Sequence, residues 1–109
     1  MIPHAPPMLF EVSGGNVTLP AEHPLCRDGA YTAAALVELA AQLAGRLVQD
    51  APGHRGMLVE VEGCRLGRVA YAGEVLSTTV TATHRRGPLR RFRVVIGDVL
   101  DTGLTLRIA

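Results

Sequence analysis

The longest regular pattern in the chain is a run rich in Ala and Leu from Thr32 to Gln49, TAAALVELAAQLAGRLVQ. Both residue types are strong helix formers. Asp28 or Thr32 can cap the start of the run, and Pro52-Gly53 stops it. Wound at 100° per residue, Leu36, Leu39, Ala40, Leu43 and Leu47 form one broad apolar side, which Ala33, Val37 and Ala44 widen. The opposite side carries Tyr31, Ala34, Ala41 and Gly45 with only two polar residues, Glu38 and Gln42. A solvated helix of this length carries several charges, so the pattern predicts a helix buried nearly all round.

Elsewhere the period falls to two, the signature of strands. Met8 to Val12 reads as a short strand, Ser13-Gly14-Gly15 as a turn and Asn16 to Leu19 as the returning strand. Pro20 to Gly29 reads as a loop with two prolines. After the helix come strands at Gly56–Cys64, Glu74–Arg85, Leu89–Val99 and Leu104–Ile108, with turns at Gly87-Pro88 and Asp101-Thr102-Gly103. A hairpin, one helix and then consecutive antiparallel strands predict an α+β domain with segregated elements. A lone apolar helix needs a curved sheet to enclose it. A second copy would add cover and pair the sheet's edge, so a homodimer is expected.

Composition narrows the picture. At 109 residues the chain is one domain in size, and 48% apolar content predicts a globular fold. A formal net charge of +1 argues against a general attraction to nucleic acid. All eleven cations are arginines, and Arg85, Arg86, Arg90, Arg91 and Arg93 crowd one stretch. Cys26 and Cys64 belong to no CxxC pair or zinc-type cluster, so no metal is expected. One disulfide or two reduced thiols fit the count, and reduced thiols suit the expected cytoplasmic location. The Met1-Ile2-Pro3-His4 start lacks signal-peptide character, and no apolar run reaches the roughly 20 residues that span a bilayer.

Four segments, in order, carry a resemblance. Ile2-Pro3-His4-Ala5-Pro6-Pro7-Met8-Leu9 resembles a "PHRxPxLL" opening, and Leu36-Val37-Glu38-Leu39-Ala40-Ala41-Gln42 resembles an "xxExxAQ" helix. Gly73-Glu74-Val75-Leu76 is similar to a "PGDxL" strand start, and Arg85-Arg86-Gly87-Pro88-Leu89-Arg90 to a basic hairpin. Together they resemble the hotdog-fold β-hydroxyacyl-acyl-carrier-protein dehydratases, with dehydratase-like proteins of aryl-polyene clusters as a closer cousin. The resemblance implies an antiparallel sheet wrapped around one central helix, in a dimer with two interface sites. It implies a lyase that removes water from a 3-hydroxyacyl chain on phosphopantetheine in fatty-acid, polyketide or polyene synthesis. Its partners would be an acyl carrier protein or CoA thioester, and it implies no metal or organic cofactor.

On that resemblance His23, in the loop before the helix, is the base, and Glu38 of the other subunit is the acid. An imidazole, with an ordinary pKa of about 6.5, suits removal of the proton α to a thioester. Burial favours the protonated form of a carboxyl, the form that delivers a proton to a leaving hydroxyl. Gln42 lies one turn after Glu38 and can orient it. Gly29, before the helix, allows close approach of substrate, and nearby backbone N–H groups can polarise the thioester carbonyl. Arg85, Arg86, Arg90 and Arg91 can steer an acidic carrier protein or simply protect a sheet edge. His4 reads as a tether, His54 and His84 as solvated, and Cys26 as incidental.

The family's HFPGH loop motif is absent, and in a second alignment Asp28-Gly29 falls where the catalytic His would stand. Two further readings therefore stand beside the dehydratase. One is a non-catalytic subunit that pairs with an active hotdog partner. The other is an acyl-thioester hydrolase that uses the helix carboxylate and water.

Overall fold

One helix stands between two runs of strands, as the polarity pattern dictates, and the computed structural model describes residues 12–13, 15–48 and 56–108. The opening segment with His4, most of the Met8–Val12 strand, the Pro52-Gly53 stop and His54 lie outside the described residues. A short hairpin, β1 (Val12–Ser13) and β2 (Asn16–Thr18), leads into a loop that holds β3 (Cys26–Arg27) and β4 (Ala30–Tyr31). The one described helix, α1 (Ala33–Leu47), follows. Then come β5 (Gly56–Leu66), β6 (Ala70–Tyr71), β7 (Val75–Arg86), β8 (Leu89–Ile96) and β9 (Leu100–Ile108).

The main sheet has six strands in the order β1-β2-β7-β8-β9-β5, every described pairing antiparallel. A small second sheet, β3-β4-β6, sits at the start of α1. One face of the main sheet presents Leu76, Phe92, Val94, Ile96, Leu100, Leu104 and Leu106, all buried. Against it lies the apolar side of α1: Ala35, Leu36, Leu39, Ala40, Leu43 and Ala44. Register shifts at Leu58/Glu60 and Glu62/Arg65 in β5, and at Ala82/His84 in β7, mark β-bulges. Bulges raise local twist, which curls a sheet around a helix.

Two expectations are corrected. The turn between the last two strands is at Gly97-Asp98-Val99, not at Asp101-Thr102-Gly103. Those three residues belong to β9, where Thr102 alternates with Leu100 and Leu104 on the buried face and pairs with Val94. Gly97, at φ +46, makes the actual turn. The helix, too, is not covered all round by the described residues of its own chain. Ala34 is exposed, and Glu38, Ala41, Gln42 and Gly45 are half-buried.

At one edge of the main sheet is β5, whose one described neighbour is β9. Val61 pairs with Leu104 and Leu66 with Leu100, so both point to the helix side of the sheet. They remain 38% and 52% exposed, because that side of the edge has nothing described over it. No described helix is long and apolar enough to cross a membrane.

Candidate active site

The loop before α1 is a packed, hydrogen-bonded structure. His23 is only 4% exposed. Its Nδ1 accepts the Leu25 N–H at 3.1 Å, and its carbonyl accepts the Cys26 N–H at 2.9 Å. A neutral imidazole that accepts at Nδ1 carries its proton at Nε2. The His23 ring lies 6.1 Å from that of Tyr31, centroid to centroid. The Tyr31 hydroxyl donates to the Pro20 carbonyl. Burial pushes Tyr31 up to about 12, and the Cys26 charge adds to the rise.

Asp28 and Gly29 form the two-residue turn of the β3–β4 hairpin, with φ of 52° and 77°. Positive φ at both central positions is the type I′ geometry that Asp-Gly favours. Gly29 is thus fixed by its turn, and its carbonyl accepts the Ala72 N–H at 2.8 Å. Cys26 and Cys64 are free thiols.

Of the two cap positions in the sequence, Thr32 is the one used. Its Oγ1 accepts the Ala35 N–H at 3.2 Å, and its carbonyl accepts the Leu36 N–H. The N–H groups of Ala33 and Ala34, in the first helical turn, have no partner within a regular helix. Both residues are exposed, and no acidic side chain occupies this turn. Further along the same open side, the Gln42 amide donates to Glu38 Oε1 at 3.3 Å. The expected Glu38–Gln42 pair therefore forms, and it is reachable from solvent.

The arginines lie elsewhere. The β7–β8 turn is at the end of the sheet where β5 begins, since Gly56 pairs with Ile108 and the Ile108 N–H donates to Pro88 O. The start of α1 is at the other end, tied through β4 to β6 just after β5 finishes. Arg85 and Arg86 are exposed at the hairpin. Arg90 turns its Nη1 back to the carbonyls of Gly87 and Leu89, at 2.5 and 3.1 Å. Arg91 meets Glu62 at 3.3 Å and Arg93 meets Asp101 at 2.6 Å, on the sheet face away from α1. The predicted site residues thus fall into two groups. His23, Gly29, Glu38 and Gln42 belong to the loop and helix, and Arg85, Arg86 and Arg90 to the far hairpin.

One cluster went unnoticed in the sequence. Arg68 makes a two-pronged contact with Asp98 through Nε, at 2.9 and 3.0 Å. It grips Glu74 with Nη1 and Nη2, at 3.0 and 2.6 Å. The guanidinium holds both carboxyls below their usual range. Among the described residues no three His, Cys, Asp or Glu side chains gather as a metal site.

No protein-family model and no curated protein matches the sequence. Solved structures do match in shape. A hypothetical thioesterase protein from Streptococcus pneumoniae TIGR4, solved with coenzyme A, is similar with a TM-score of 0.66 and 18% identity. The match covers 91% of this chain and 82% of that one. The uncharacterized protein PH1136 from Pyrococcus horikoshii is similar with a TM-score of 0.67 and 16% identity, over 94% of this chain and 84% of that one. At these identities the likeness is one of fold. The antiparallel sheet curled around a single helix is the expected α+β architecture and is consistent with the hotdog arrangement.

Proposed function

We propose that this chain is an acyl-thioester hydrolase of the hotdog class, with Glu38 as the base that activates water. The observation that carries this reading is the position of Glu38. Its carboxyl is half-buried on the open side of α1, held by the Gln42 amide and reachable by water. A neighbour of similar fold solved with coenzyme A supports a CoA thioester as substrate.

Hydrolysis asks little more of the site. Glu38 takes a proton from water as the water oxygen attacks the thioester carbonyl carbon. The oxyanion that forms lies within the field of the helix start, where the Ala33 and Ala34 N–H groups are donors. Collapse of that intermediate breaks the C–S bond, and the proton held by Glu38 goes to the departing thiolate. Thiolates leave readily, so one carboxylate can serve both steps.

Dehydration is the second reading, favoured by the resemblance and by a buried His23 one loop ahead of the Glu38 helix. It needs a free basic nitrogen facing the substrate. The commitment of His23 Nδ1 to the Leu25 N–H weighs against it. A second copy, or a related hotdog subunit, would cover the open side of α1 and the β5 edge, and would complete the pocket wall. The Arg85, Arg86 and Arg90 hairpin would then serve an acidic carrier or CoA phosphates from the far end of the sheet.

The test uses purified protein with acyl-CoA thioesters of graded length and, separately, with 3-hydroxyacyl thioesters on CoA and on carrier protein. Release of free thiol, lost in Glu38→Gln, supports the hydrolase. Enoyl absorbance without thiol release would establish the dehydratase instead. Neither product, with restored activity on mixing with a hotdog homologue, would establish the non-catalytic subunit.

A further inference from the structure

Three turns meet at one guanidinium. Arg68 lies between β5 and β6, Glu74 just before β7, and Asp98 in the β8–β9 turn. Arg68 holds Glu74 with its Nη1/Nη2 fork and shares its single Nε–H between the two Asp98 oxygens, and Nη1 also reaches the Val69 carbonyl at 3.1 Å. The two-donor grip on Glu74 fixes direction as well as distance. A lysine, as a point charge, cannot reproduce that fork.

Glu74 passes this constraint inward. Its Oε2 accepts the Tyr71 N–H at 2.7 Å, and its backbone N–H donates to the Tyr71 carbonyl at 3.3 Å. Tyr71 is in β6, which pairs with β4 through Ala30–Tyr71 and Tyr31–Ala70. The residue after β4 is Thr32, the cap of α1. The turn after β6 adds two more ties, Ala72 N–H to Gly29 O and Gly73 N–H to Leu19 O, at 2.8 and 2.7 Å. A continuous hydrogen-bonded path therefore runs from Asp98 through Arg68, Glu74 and β6 to β4, which leads directly into the Thr32 cap of α1.

We infer that Arg68 is a positioning residue, which through Glu74 and β6 anchors the first turn of α1 and so holds the Ala33 and Ala34 N–H groups in place. The inference rests on the hydrolase reading for its catalytic consequence. Its structural half stands without it. An ion pair whose partners are this exposed adds little to global stability. Its effect belongs to the geometry of one helix end, where small misplacements lower rates steeply.

The experiment compares Arg68→Ala, Arg68→Lys and Glu74→Gln with wild type in two readouts. Hydrogen exchange reads the peptides that cover Ala30–Ala34 and Tyr71. Steady-state kinetics on an acyl-CoA thioester reads kcat and KM separately. Arg68→Ala is expected to raise exchange in those peptides several-fold, while peptides from the middle of β8 stay unchanged. It should also lower kcat about tenfold with KM within about twofold. Arg68→Lys should recover only part of either effect, and added guanidinium should restore kcat in Arg68→Ala. Unchanged exchange at the helix start overturns the inference, as does raised exchange with unchanged kcat. If the wild type hydrolyses no thioester, the hydrolase reading fails, and the exchange result alone decides whether Arg68 positions the helix start.

Discussion

Replacing Gly67 by alanine should destabilise the fold far more than one methyl group ordinarily would. Gly67 follows β5 and donates its N–H to the Val99 carbonyl at 3.0 Å. A Cβ at this position would stand 1.9 Å from the Asp98 carbonyl oxygen and 3.0 Å from its carbon. Ordinary carbon–oxygen contacts are more than about 1 Å longer than that first distance. The obstructing atom is backbone, so no side-chain rotation relieves the overlap, and the β5–β6 connection must move away from the β8–β9 turn. That movement sacrifices the Gly67–Val99 hydrogen bond, about 1 kcal/mol. Strain comparable to overpacking adds about 1–3 kcal/mol. The stiffer unfolded chain returns roughly 0.5 kcal/mol. The net is a loss of about 1.5–3.5 kcal/mol. In a domain of this size that lowers Tm by about 6 °C or more. Thermal melts followed by far-ultraviolet circular dichroism, at matched protein concentration, measure it directly. A Tm within about 2 °C of wild type would refute the close approach of the two turns.

Two other outcomes follow from the same structure. The Tyr31 pKa of about 12 lies above the ordinary 10.0, so this tyrosine's contribution to stability is complete below pH 10.0 and declines as pH rises through about 12. Absorbance titration at alkaline pH should show that late transition, and Tyr31→Phe should abolish it while costing about 1 kcal/mol through loss of the bond to Pro20. At the β5 edge, Val61→Glu with Leu66→Glu places charge on the exposed apolar row. Light scattering should find the wild type dimeric and the double variant monomeric. A monomeric wild type would remove the partner from the site.

The helix was legible because an unbroken Ala/Leu run leaves few alternatives, and the structure keeps it to Ala33–Leu47 behind the Thr32 cap. The long strands were legible from their Val and Thr content. The last turn was misread because Asp101-Thr102-Gly103 and Gly97-Asp98-Val99 both carry turn residues. The alternation of Leu100, Thr102, Leu104 and Leu106 on the buried face decides between them. Strands of two residues, such as β3, β4 and β6, are too short to show a period, so the loop before α1 read as irregular. The Glu38–Gln42 pair was visible because helix geometry puts residues four apart on one face. The Arg68 cluster was not, since its partners lie 6 and 30 residues away and are joined only by the folded turns. The open side of α1 had a misleading signature. Ala34 and Gly45 are small enough for close packing, yet Ala34 is exposed and no described atom lies within 4 Å of where a side chain at Gly45 would start.

The most direct test of the central claim is the rate of thiol release from an acyl-CoA thioester by wild type and by Glu38→Gln, with circular dichroism confirming that both are folded. The expected result is hydrolysis by wild type and a loss of about 10²- to 10⁴-fold in kcat in the variant, the range for removing a general base. Hydrolysis that survives unchanged in Glu38→Gln would contradict the assignment of Glu38 as the base.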